Sequence, residues 1–408
     1  MLAIIETHPV QYRAPVYRML QQQFGIPLTV IYGSDYSVAG YRDQEFNSAF
    51  AWDIDLVSGY SSKFLSQVQT GGARSFEAIS SQGLGKALQE VAPDVVLITG
   101  YQHRLYQAAF YQALKQNYPI LFRAETTDHA LARNPLKIWL RDTTLHWAYQ
   151  RCAKLLYIGQ HSKKHHQRLG GTEQQLISSP YCVDTSPFQL DEAARIEFRE
   201  LTRQSLGIAN TQIVLIFSGK LSPRKRPDLI LQAIKQLPSA LREQITVLFM
   251  GNGELKLDLQ SQAASAPSVT THFVGFQNQT QLSRYYHAAD LLILPSQYSE
   301  TWGLVVNEGL HHGLPAIVSQ AVGCAPDLVS PGITGEVFET GSAQSLAQAI
   351  ERSVSLINRP ETRQQCHDRV SHYTVEQAAQ GIAAAYSHVA VEERKNNVRT
   401  VLSKDNKR

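Results

Sequence analysis

Short apolar runs of about three to six residues recur along the chain, separated by longer stretches in which polar and apolar positions mix. In the first half these runs are Ala3–Ile5, Leu28–Tyr32, Val95–Thr99, Ile120–Arg123 and Lys154–Ile158. In the second half they are Ile213–Ser218, Thr246–Gly251, Thr271–Val274, Leu291–Pro295 and Ala316–Ser319. Runs this short and this continuously apolar are how strands buried on both faces read, and helices must then cover both faces of a parallel sheet. The alternation predicts an α/β protein of two doubly wound, Rossmann-like domains, with a central crevice at the carboxyl ends of the strands. Polar and charged residues replace the strand pattern over Ser186–Glu200, which divides the chain into residues 1–188 and 189–374. The last stretch, Glu392 to Arg408 (EERKNNVRTVLSKDNKR), is mostly charged and polar and is expected to be a disordered tail.

Composition narrows the class. A length of 408 residues with 43% apolar positions suits two substantial cores. A net charge of +3 gives no argument for nucleic acid. Cys152, Cys182, Cys324 and Cys366 form no CxxC pair or ladder, which favours a reducing compartment. Met1 runs directly into strand-like LAII rather than a leader, and no apolar run reaches the roughly 18 residues of a membrane span. A cytoplasmic protein is expected, with contact at the inner face of a membrane left open; the oligomeric state is not legible.

The most informative stretch is SETWGLVVNEGLHHGLPAIVSQAVGCAPD, from Ser299 to Asp327. Glu300 and Glu308 bracket the start of a predicted helix, Thr301–His312, that stops at Gly313-Leu314-Pro315. Eight helical residues rise about 12 Å, so the two carboxylates would address two ends of one elongated ligand rather than one atom. Between them the backbone N–H groups of Gly303, Leu304 and Val305 are donors at a helix N-terminus, where the dipole favours an anion. Taken alone, two glutamates on a surface helix would need no further explanation.

Other segments carry chemistry at strand ends. Gly219, Lys220 and Lys225 follow the Ile213–Ser218 strand in GKLSPRK, where preorganised cations could stabilise a leaving diphosphate. Arg224 and Arg226, in the same loop, read as solvated charges. Gly251-Asn252-Gly253 makes a tight turn after a strand and lets backbone approach a ligand. In the first domain His8, Tyr12, Arg13, Tyr101, His103, Arg123 and Glu125 follow or close strands and would face the crevice. In HSKKHH, His161 and His165 form an i, i+4 pair, but no third ligand follows and Lys163 and Lys164 would repel a cation. A basic helix surface is expected there, and the amphipathic stretch Pro135–Tyr149 is read as a core-facing helix. No paired carboxylates stand at a strand end to hold Mg²⁺ and a diphosphate, so neither metal nor bound cofactor is expected. No G-x-G-x-x-G follows a strand, which disfavours a dinucleotide dehydrogenase.

The ordered set of IFSGKLSPRKRPDLILQAI, VLFMGNGELK, VGFQNQTQLSRYYHAADLLILPS and the E-x7-E segment resembles the retaining glycosyltransferases of family 4, which have the GT-B architecture. The resemblance runs from about residue 155 to 340. The opening IIETHPVQYRAPVYRML is similar to a bacterial subgroup with a His-Pro-(Val/Ile)-Gln-Tyr turn, whereas many members carry a glycine pair in that loop. The resemblance implies a metal-independent transfer of a sugar from a nucleotide-diphosphate sugar, the co-substrate, to a hydroxyl acceptor. That acceptor would be a glycan, a lipid-linked sugar or a small molecule. It further implies an acceptor-binding first domain, a donor-binding second domain and a final helix, about Val375–Val391, returning to the first. By the same resemblance Glu300 touches the donor sugar, Glu308 holds ribose, Lys220 and Lys225 contact the diphosphate, and Phe276 lies at the turn that reads the base. A nucleotide-sugar epimerase of the same fold and a non-catalytic nucleotide-sugar-binding subunit remain as alternatives. The base, the sugar, the acceptor and the pathway are not legible.

Overall fold

The computed structural model describes the chain except residues 39–40, 44–47, 51–54, 68–78, 129–133, 266–268, 299 and 406–408, and leaves the side chains of 41–43, 48–50 and 392–405 undescribed. The first half runs β1 (Leu2–Glu6), α1 (Ala14–Gln22), β2 (Leu28–Tyr32), the hairpin β3 (Tyr41–Asp43) and β4 (Ser48–Phe50), β5 (Ser61–Phe64), α2 (Leu84–Val91), β6 (Val95–Ile98), α3 (Arg104–Lys115), β7 (Ile120–Arg123), α4 (Pro135–Tyr149), β8 (Lys154–Tyr157), α5 (Gln160–Arg168) and β9 (Leu176–Ser178). The second half runs α6 (Glu192–Ser205), β10 (Ile213–Ser218), α7 (Asp228–Ile234), α8 (Ser239–Arg242), β11 (Ile245–Met250), α9 (Lys256–Ala264), β12 (Thr270–Gly275), α10 (Leu282–Ala288) and β13 (Leu291–Leu294). It continues through α11 (Leu304–His311), β14 (Ala316–Ser319), α12 (Ala325–Leu328), β15 (Gly335–Phe338), α13 (Ala343–Ile357), α14 (Thr362–Val370) and α15 (Val375–Asp405).

Two sheets result, ordered β5-β2-β1-β6-β7-β8-β9 and β12-β11-β10-β13-β14-β15. Every pairing within them is parallel, with β1 flanked by β2 and β6, and β10 by β11 and β13. This is the doubly wound arrangement that the apolar runs require: β1, β2, β6 and β13 are buried along their whole length. Each sheet has an apolar core on both faces. The edge strands β5, β9 and β15 escaped the hydrophobic pattern: SSKF of β5 is largely polar, LIS of β9 is only three residues long, and GEVF of β15 is broken by Glu336 although it is largely buried.

Helix α15 lays Ala378, Ala379, Ile382 and Ala385 into the same core as Leu2, Ile4 and Tyr17 of the first sheet. Its backbone stays helical to Asp405, past Val391. Two expectations about helix surfaces are corrected. His165 and His166 of α5 are fully buried rather than on a basic surface: His165 Nδ1 pairs with Asp128 at 2.7 Å, and both rings pack against Tyr149. Helix α4 buries only Leu145 and Tyr149, near its end, while Leu136, Trp139 and Leu140 are 70%, 64% and 60% exposed. It faces the core only at its carboxyl end.

Candidate active site

The crevice between the two sheets is built from loops that leave strand carboxyl ends. In the second domain the loop after β10 and the turn after β11 lock together through backbone: Gly219 N–H donates to Met250 O at 2.9 Å, and Leu221 N–H to Asn252 O at 2.9 Å. Gly251 sits at φ +143°, and a Cβ there would come within 1.9 Å of Gly219 O, so only glycine permits the approach. The loop then meets the chain after β13, where Gln297 N–H donates to Arg224 O at 3.0 Å.

This places Lys225 on Glu300. The Lys225 ammonium contacts Glu300 Oε2, Ser296 Oγ donates to the same oxygen at 2.9 Å, and Arg224 Nη1 lies 3.7 Å away. Arg224, read from sequence as a solvated charge, is thereby drawn to the site by the fold of its own loop. Arg226 instead pairs with Asp228 at 3.0 Å. Burial pushes the Glu300 carboxyl up, but the Lys225 and Arg224 charges and the Ser296 hydroxyl outweigh it and hold the group below its ordinary value. Lys220 is half-buried in the loop that follows β10.

Glu308 lies on α11 and is buried, with Tyr286 Oη donating to its Oε2 at 2.6 Å. Burial raises its pKa to about 7, against the opposing pull of the Tyr286 hydrogen bond and the Lys225 charge. Lys225 thus acts on both carboxylates of the E-x7-E segment. Helix α11 begins at Leu304, three residues later than the sequence pattern predicted, because Gly303 adopts φ +100° and turns the chain before it. Among the described residues no acceptor takes the N–H of Gly303, Leu304 or Val305 at the head of the helix. Phe276 follows β12 half-buried and outside the apolar cores of the described residues.

The first domain supplies the opposite wall. A cavity of about 360 Å³ is lined by Arg13, Tyr101, His103, Tyr106 and Glu125 of that domain and by Thr301 of the second. Glu6, buried at the end of β1, receives Arg13 Nη1 at 2.9 and 2.7 Å. Arg13 Nη2 donates to Glu125 Oε1 at 3.0 Å, and Glu125 Oε2 accepts from Thr301 Oγ1 at 3.1 Å. A polar chain therefore crosses the crevice and ends one residue from Glu300. Tyr12 joins it weakly, Oη to Glu125 at 3.4 Å, and faces Glu308 across a narrow slot that also holds Gln11 and Leu304.

His103 caps α3, its Nδ1 accepting from Leu105 N–H at 3.1 Å, and burial followed by the Arg104 charge keeps it below the usual histidine range. Tyr101 Oη accepts from Arg141 Nε of α4 at 3.3 Å. His8 bonds Thr7 and packs its ring at a tilt against Tyr36, centroids 4.6 Å apart; burial and Arg13 lower its pKa to about 4. Arg123 does not line the cavity: its guanidinium donates to Ser179 O, Ser179 Oγ and Pro180 O, anchoring the segment between the domains. Sequence reasoning passed over Glu6, Thr301, Ser296 and Tyr286. Of these, only Glu6 carries a signal, a charged residue closing an apolar strand.

The class this fold defines is GT-B, two Rossmann-like domains with a crevice between them. Residues 198–371 match the family described as glycosyl transferases group 1. The D-inositol 3-phosphate glycosyltransferase of Mycobacterium marinum is 34% identical over 185 residues, 44% of this chain and 39% of that one. The lipopolysaccharide 1,2-N-acetylglucosaminetransferase of Salmonella typhimurium is 30% identical over 240 residues, 56% of this chain and 60% of that one. The chain therefore spans 39% and 60% of these two relatives.

Solved structures agree over almost the whole chain. Anabaena Alr3699/HepE in complex with UDP and glucose superposes with a TM-score of 0.66 at 16% identity, covering 95% of this chain and all of that one (100%). Sucrose-phosphate synthase from Thermosynechococcus elongatus gives 0.69 at 16% identity, covering 96% and 99%. At that identity the likeness establishes the fold. Among the described residues no group of three or more His, Cys, Asp or Glu could hold a metal ion, no helix is long and apolar enough to cross a membrane, and all four cysteines are buried and unbridged.

Proposed function

We propose that the protein is a retaining glycosyltransferase that moves a sugar from a nucleotide-diphosphate sugar to a hydroxyl acceptor without a metal ion. The observation that carries this reading is the contact of Lys225 and Glu300 beside the N–H groups at the head of α11, with Glu308 further along the helix. A diphosphate over the head of α11 would meet those donors, Lys225 and Arg224, with Lys220 on the same loop. The sugar would then lie against Glu300 and the ribose against Glu308.

In the reaction the bond between the anomeric carbon and the β-phosphate oxygen breaks and a bond to the acceptor oxygen forms on the same face. The acceptor hydroxyl proton passes to the departing phosphate oxygen. Glu300, held ionised by Lys225, serves as a donor-sugar ligand rather than as a nucleophile. The acceptor would occupy the cavity of Arg13, His103 and Glu125 in the first domain, while the second domain binds the donor. The glycosyltransferase relatives and the group 1 match over residues 198–371 support the reaction class. The UDP and glucose named for the Anabaena neighbour support a nucleotide-sugar donor.

The exposed Leu136, Trp139 and Leu140 of α4, with Lys137 beside them, add peripheral contact with an anionic membrane. Helix α4 also reaches the acceptor cavity through Arg141 and Tyr101, which would bring a lipid-linked acceptor to it.

The test is thermal stabilisation by UDP, GDP, ADP and their sugar conjugates, with and without EDTA, because a ligand of the native state raises the melting temperature. One nucleotide standing out, unaffected by EDTA, supports the reading, and Glu300→Ala should then abolish transfer in a folded protein. No shift with any nucleotide would defeat it.

A further inference from the structure

On the far side of the second domain, a cavity of about 340 Å³ lies between α6, α10 and the loop from α13 to α14. Asp290 and Pro315 line it immediately before β13 and β14, so it opens at the amino ends of the strands, opposite the crevice. Arg195, Arg199, Arg359 and Arg363 all border it.

The charges there do not balance. Glu192 is shared by Arg195, in contact with it, and Arg363 at 3.9 Å; Asp290 is shared by Arg199 and Arg203, each at 2.7 Å. Two carboxylates thus serve four guanidinium groups, of which Arg195, Arg199 and Arg363 border the cavity, and Arg359 borders it as well. A second observation points the same way. His287 is 3% exposed and lines the cavity, with Nε2 donating to Gln189 O at 2.6 Å. Its Nδ1 is buried with no partner among the described residues. A buried ring nitrogen left unmatched beside excess cationic charge calls for an oxyanion that can share a proton with it.

We propose that this cavity is a binding site for a phosphate group, free or carried as a monoester by a small metabolite, held by Arg195, Arg363 and His287. The oxyanion neutralises the excess guanidinium charge, and one proton lies between His287 Nδ1 and a phosphate oxygen. The site is separate from the diphosphate region around Lys225, although Tyr286 and His312 border the cavity and also hydrogen-bond Glu308.

The experiment is calorimetric titration of the full chain with inorganic phosphate and, in a second arm, with glycerol phosphate, each repeated on Arg195→Gln, Arg363→Gln and Lys225→Met. The expected result is saturable binding by at least one ligand, weakened about tenfold or more by either arginine substitution and unchanged in Lys225→Met. The tighter ligand identifies the source of the phosphate. Circular dichroism melts confirm that each variant is folded, and Arg195→Lys, which keeps the charge, should recover part of the affinity. Absence of saturable binding up to 20 mM overturns the proposal. So does binding that disappears in Lys225→Met but survives both arginine substitutions, which would place the anion in the crevice.

Discussion

Replacing Lys225 with methionine keeps the side-chain stem and removes the charge that meets Glu300. Both side chains are almost fully buried, at 12% and 9% exposure. Removing one partner of a buried ion pair costs about 3–5 kcal/mol when nothing else compensates the remaining charge. Ser296 Oγ at 2.9 Å and Arg224 at 3.7 Å still face Glu300, so the expected loss is smaller, about 2–3 kcal/mol at pH 7.5. The pH dependence follows from the direction of the shift. In the native protein the Glu300 carboxyl is held below its ordinary 4.5, so its pairing contributes above that pH and is lost only as the pH falls through the lowered value. Without Lys225, burial is opposed less, the carboxyl rises, and the variant loses stability as the pH increases. The gap between native and variant should therefore be larger at pH 7.5 than at pH 5. Urea unfolding at both pH values, with Glu300→Gln and the double variant completing the cycle, reads this directly. Equal destabilisation at both pH values, with the two single effects adding within about 0.5 kcal/mol, would refute the reasoning and make the contact a solvated one.

Glu308 should behave in the opposite sense. Its folded pKa is raised to about 7 from 4.5, so the native protein loses stability as the pH rises between those values, and Glu308→Gln should remove that slope in melts across pH 4.5 to 8. Gly251→Ala forces a Cβ to 1.9 Å from Gly219 O at φ +143° and should cost about 2 kcal/mol or more while weakening nucleotide binding, measured by denaturation and titration. Trp139→Ser on α4 should leave stability within about 0.5 kcal/mol and abolish flotation with anionic liposomes; unchanged flotation, or none in the native protein, would remove the membrane contact.

The alternation of short apolar runs with helical stretches was enough to establish two doubly wound domains, because strands buried on both faces must be apolar throughout. The motif segments at the strand ends singled out candidate residues in the second domain. Lys225, Glu300 and Glu308 are singled out by their places relative to strands and glycines, and they meet around one helix N-terminus. The edge strands β5, β9 and β15 were not legible, since their runs are short or broken by polar residues.

Side-chain destinations were decided only in three dimensions. Arg224 and Arg226 look alike in the sequence, yet one reaches Glu300 and the other pairs with Asp228, because their loop meets the chain at Gln297. Arg123 ends a strand as Glu6 does, but it binds the carbonyls of Ser179 and Pro180, while Glu6 organises the polar chain that crosses the crevice to Thr301. His165 and His166 read as surface charge and lie in the core, and α4 reads as a core helix yet exposes Leu136, Trp139 and Leu140. Local pattern sets which face of an element is apolar. What that face meets, and which partner a charged side chain finds, is decided by segments brought together only when the chain folds: Arg224 meets Glu300, Arg123 meets Ser179, and Glu125 meets Thr301 across the crevice.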